Sequence, residues 1–76
     1  MLLGQMAGKV WATKKASNLT GQTFLTVEVG DRLMVCADCV GAGEGERVLI
    51  ATGGAARIAA GANVPVDAAI IGIIDP

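Results

Sequence analysis

The chain has no histidine and no tyrosine, and it has one phenylalanine, one tryptophan, two prolines and two cysteines in 76 residues. Each shortage removes a class of function. Without histidine the chain lacks the side chain best suited to general base work near neutral pH, and the commonest metal ligand is missing. Two cysteines cannot build the disulfide framework of a small secreted domain. Trp11 and Phe24 alone make no stacking platform, and six basic against seven acidic residues make no basic stripe. A nucleic-acid interface usually needs both. No apolar run reaches the roughly 18 residues that span a bilayer. Met1-Leu2-Leu3-Gly4-Gln5 shows no basic segment leading into a long apolar one, so no signal peptide is expected. The expectation is a cytoplasmic protein with no nucleic-acid partner and no membrane partner. Asn18-Leu19-Thr20 fits the glycosylation sequon, but without a secretory signal the match reads as chance.

What remains is aliphatic. The chain is 53% apolar and 3% aromatic, so its core must come from Val, Ile, Leu and Ala. A chain of this length is a single domain, residues 1–76, with a marginal core. Domains this small usually need a disulfide, a metal or a second copy to add stability. The first two have little support in the composition, which leaves oligomerisation.

Periodicity reads mainly as strands. Val10-Trp11-Ala12-Thr13 favours a first strand within residues 1–15. Lys14 to Asn18 reads as a solvated turn. Thr23 to Val29 alternates, with Leu25, Val27 and Val29 on one face and Phe24, Thr26 and Glu28 on the other. Gly30-Asp31 marks a tight turn. Leu33-Met34-Val35-Cys36-Ala37 is a continuous apolar run, the pattern of a strand buried on both faces. Arg47–Thr52 and Ala69–Asp75 supply two more strands. Between them Ala55 to Ala60 can form one or two helical turns, with Gly61 as the stop. Five strands, frequent turns and one short helix predict an all-β fold: a small five-stranded, OB-like β-barrel. Closure removes the sheet edges that invite aggregation.

The densest feature is Gly41-Ala42-Gly43-Glu44-Gly45-Glu46, which runs into the Arg47 strand. It is not a dinucleotide loop, because Glu46 stands where a glycine is needed and a strand, not a helix, follows. It is not a P-loop, because Gly-Lys-Ser/Thr is missing. Its glycines predict positive φ or close backbone approach at more than one position. Gly43→Val is therefore expected to strain the backbone. The six residues are the candidate subunit-interface or central-opening loop. Cys36-Ala37-Asp38-Cys39 has C-x-x-C spacing, but it leaves a strand, where alternation points the two thiols to opposite faces. Buried small hydrophobes are the simpler reading. Glu44, Glu46, Asp67 and Asp75 read as surface charge and local caps, and Arg57 as a solvated side chain. No catalytic residue, cofactor or metal is expected.

The sequence resembles the EutN/CcmL family. The blocks that carry this are Gly8-Lys9-Val10-Trp11-Ala12-Thr13-Lys14-Lys15, Leu19-Thr20-Gly21, Val40 to Leu49, Ala55-Ala56-Arg57 and Pro65 to Asp75, in that order. The resemblance implies a β-barrel subunit of a homopentamer that caps the vertices of a bacterial microcompartment shell. Hexameric and trimeric shell proteins would be its partners, and the role would be curvature and closure, not catalysis. Fivefold assembly could also bring several copies of Cys39 together at an iron–sulfur or metal site on the axis, the less favoured reading of that thiol. Some relatives carry a longer tail where this chain ends at Pro76. The alternative class is a small OB-like module that binds nucleic acid or another ligand.

Overall fold

The computed structural model describes residues 1–12 and 14–76. Five strands appear in chain order: β1 Leu2–Val10, β2 Phe24–Val29, β3 Arg32–Asp38, β4 Arg47–Thr52 and β5 Ala68–Ile74. Among the described residues a 3-10 turn, Ser17–Leu19, lies between β1 and β2, and helix α1, Gly53–Ala60, lies between β4 and β5. The strands close into a barrel in the order β1-β2-β3-β5-β4. All pairings are antiparallel except β3 with β5, which is parallel and rests on two residue pairs, Ala37–Ala69 and Asp38–Ile70.

The predicted barrel and helix are present, and Gly61 ends α1 at φ 126°. Two details differ from the sequence reading. The first strand lies earlier, at Leu2–Val10, and Trp11 and Ala12 fall outside it. Its extent follows its partners: Leu2 to Gln5 pair with Ile50 to Arg47, and Gln5 to Val10 pair with Glu28 to Phe24. Neither partner continues past Val10. Thr13, also assigned to that strand by the sequence, lies outside the described residues. The second difference is β3, which is not buried on both faces along its length. Leu33 is 64% exposed and Val35 52% exposed. Both faces are buried only at Cys36 and Ala37, where the helix-side core reaches the barrel.

Two clusters form the core. Inside the barrel, Met6, Leu25, Val27, Cys36, Val48, Ile50, Ala68 and Ile70 pack together. These are the inward positions of strands with period two. On the outside, Ala56 of α1 packs on Ala37, Val66 and Ala69. Small residues there let the helix sit close to the sheet. Gly4 has a similar role in β1. A Cβ at that position would lie 2.5 Å from Val27 Cγ1 and 2.8 Å from the Glu28 carbonyl oxygen. The strand can cross the barrel there only without a side chain.

Candidate functional site

The glycine loop joins β3 to β4, and its shape is set by two of its own carboxylates. Asp38, the last residue of β3, accepts hydrogen bonds from the amides of Val40 at 3.1 Å, Gly41 at 3.0 Å and Ala42 at 3.2 Å. Glu46 accepts from the Gly43 amide. At its far end the loop joins β1, where the Gly45 amide donates to Met6 O and the Met6 amide to Glu46 O, both at 2.9 Å. Gln5 Nε2 adds a bond to Gly45 O at 3.3 Å. Ala42 tucks against the barrel core. Gly41 and Gly45 take φ of 79° and 84°, the left-handed region that glycine enters without penalty. Gly43 does not, contrary to the strain expected there. Its constraint is the Glu46 carboxylate, 3.0 Å from where a Cβ would stand.

This geometry explains why the loop is no phosphate cradle. Such a cradle offers free amides to an anion. Here those amides already hold Asp38 and Glu46. Glu44 is the third acid of the segment, and it takes no part in these bonds and is exposed. Sequence reasoning gave Asp38, at the head of the glycine-rich stretch, no role as an organiser. An aspartate a few residues before a glycine-rich turn was the available signal, because its side chain readily bonds amides just ahead.

The thiols do not meet. Cys36 is fully buried in the barrel, whereas Cys39 is exposed and its Sγ donates to Ala59 O at 3.7 Å. Burial, with Asp67 nearby, pushes the Cys36 thiol up to about 11. Burial and then the Asp38 charge raise Cys39 as well. Redox pairs show the opposite shift, toward thiolate. Among the described residues no group of three or more Cys, Asp or Glu is placed to hold a metal. Glu44, Glu46 and Asp67 are exposed, and so is Arg57.

A second feature lies at the end of β1. Lys9, Trp11, Lys15, Leu19, Phe24 and Val35 line a groove of about 340 Å³. Trp11 is 84% exposed, and the Lys9 ammonium sits 5.8 Å from its ring centroid. Both aromatic residues of the chain thus meet there, beside two lysines. Nothing local in the sequence marks this groove, because its residues come from three strands and a loop. Large apolar side chains stand out elsewhere too: Leu3 is 53%, Val40 42% and Ile58 85% exposed.

A small closed barrel that leaves this much apolar surface open is suited to burying it against other copies. The comparisons with known proteins agree. Residues 1–75 match the family described as "Ethanolamine utilisation protein EutN/carboxysome", EutN_CcmL. The carboxysome shell vertex protein CcmL of Thermosynechococcus vestitus is 43% identical over 83 residues, covering 99% of this chain and 84% of that protein. The solved structure of Gloeobacter violaceus CcmL superposes with a TM-score of 0.92 at 38% identity, covering 99% of this chain and 86% of that one. The pentameric microcompartment shell protein GrpN of Rhodospirillum rubrum superposes with a TM-score of 0.88 at 35% identity, covering 100% and 95%. The chain belongs to the EutN/CcmL family.

Proposed function

We propose that this protein is a structural shell subunit that assembles as a closed homopentamer and caps the vertices of a bacterial microcompartment in the cytoplasm. It has no catalytic role. The observation that carries this reading is likeness over 99% of the chain to a protein named as a shell vertex protein. The exposed apolar residues support it, since a ring buries such surface and a lone domain of this size has little other means to do so. A fivefold ring is a heterologous interface that closes, and it bends a sheet of flat tiles where it is inserted. Hexameric and trimeric shell proteins are the expected neighbours.

Native mass spectrometry of the purified chain tests the assembly: a fivefold mass is expected, and a stable monomer at micromolar concentration refutes it. The vertex role has its own test. Deleting the gene should leave shells open or elongated, and restoring it should close them. Sealed shells in a deletion strain without a paralogue would remove the role.

A further inference from the structure

We propose that the groove between Lys9, Trp11, Lys15 and Val35 is the receiving half of the contact between copies, and that its occupant is the glycine loop of the neighbouring copy, entering with Val40 and Glu44. The inference rests on the pentameric reading and assigns it a surface.

Charge selects the occupant. Residues 1–27 contain three lysines and no acid, whereas residues 38–46 contain three acids and no base. Two of those acids, Asp38 and Glu46, are used on the loop's own amides. Glu44 is the charge left to face outward. Val40, 42% exposed, stands on the same loop. An apolar group and a carboxylate on the loop therefore match an apolar floor and two ammonium groups in the groove. The loop is also rigid before it binds. Its shape is fixed by side-chain and β1 bonds, so little conformational freedom is lost on docking. The apolar floor extends along β3, since Leu33 lies two residues from Val35 on the same face.

The arrangement suits a ring. Closure needs two different patches on each subunit. The groove is built from β1, β2 and the segment between them, and the loop joins β3 to β4, so one subunit carries both halves. An oligonucleotide is the other ligand that a groove with two aromatics and two lysines can attract. It is disfavoured here because binding a phosphate chain requires several charges to be neutralised, and the chain has net charge −1.

The test is a charge exchange read on the full chain. Glu44→Lys alone, or Lys9→Glu with Lys15→Glu, should raise the concentration for half-assembly by roughly tenfold or more, since like charges then face each other. Combining all three reversals should recover most of that loss. All three residues are exposed, so circular dichroism should not change. Trp11 is the sole tryptophan, which gives a second readout. Its emission should shift to shorter wavelength as the wild-type ring forms. A wild-type chain that stays monomeric overturns the pentamer and this assignment together. A wild-type pentamer with solvent-exposed Trp11 emission, or reversals that leave assembly unchanged or fail to compensate, overturns the assignment alone. So does tight binding of a labelled oligothymidine to the pentamer that Lys15→Glu abolishes.

Discussion

Cys36 ties the barrel interior to pH. Its thiol is held up to about 11 by burial and by Asp67, against an ordinary 9.0. The neutral form is favoured in the folded state. Stability from this group is therefore complete below about pH 9 and falls as pH rises through about 11. Thermal melts of wild type and Cys36→Ala across that window should show a steeper alkaline decline in the wild type. Parallel curves would mean that the thiol is not held neutral. At the loop, Gly45 sits at φ 84° and Gly43 does not take a positive φ. Gly45→Ala should cost about 1–2 kcal/mol, which lowers Tm by roughly 4–8 °C per kcal/mol in a domain of this size. Gly43→Ala should cost less, because only the end of the flexible Glu46 side chain must give way. Calorimetry on the pair checks the order, and a larger loss at Gly43 would reverse it.

At the scale of elements, the loop between β3 and β4 depends on Asp38. Asp38→Ala removes the acceptor for three amides and should cost about 1.5–3 kcal/mol, the range for bonds to a charged group. Hydrogen exchange should rise at Val40, Gly41 and Ala42 while β2 stays protected. Uniform protection would show that the loop holds its shape without the carboxylate. The elements themselves were legible to different degrees. β2 was plain because Leu25 and Val27 alternate with Thr26 and Glu28, and local alternation reports one buried face. β4 and α1 were plain for similar reasons, with Gly61 marking the helix end. β1 was misplaced because Gly4 and Gly8 interrupt its pattern, and because its limits come from partners more than forty positions away in β4. β3 reads as fully buried because its outer face is apolar. What leaves that face open is α1 covering only one end of the strand, which no local pattern encodes. The glycine loop was found from composition. The groove was not, since Trp11, Phe24 and Val35 become neighbours only after the barrel closes.

For the whole molecule, the open part of β3 is the point of leverage. Leu33 and Val35 contribute little to the isolated fold, being 64% and 52% exposed. Leu33→Asp with Val35→Asp should leave the far-UV spectrum intact and yield monomers by size-exclusion light scattering. Intact pentamers from this variant would remove β3 from the contact. Strand order also sets an order of events during synthesis. β1, β2 and β3 follow one another in sequence and lie side by side, so a three-stranded meander is available once Asp38 has left the ribosome. Its seam to β5 waits for Ala69 and Ile70. At about 5–20 residues per second the interval from Asp38 to Ile70 lasts roughly 2–6 s. During that interval β3 shows a raw edge where β5 will lie, and the apolar floor of the groove is already on display. A nascent subunit thus carries its sticky side before it carries a finished barrel, and a crowded polysome is where wrong pairings between copies have their best opportunity.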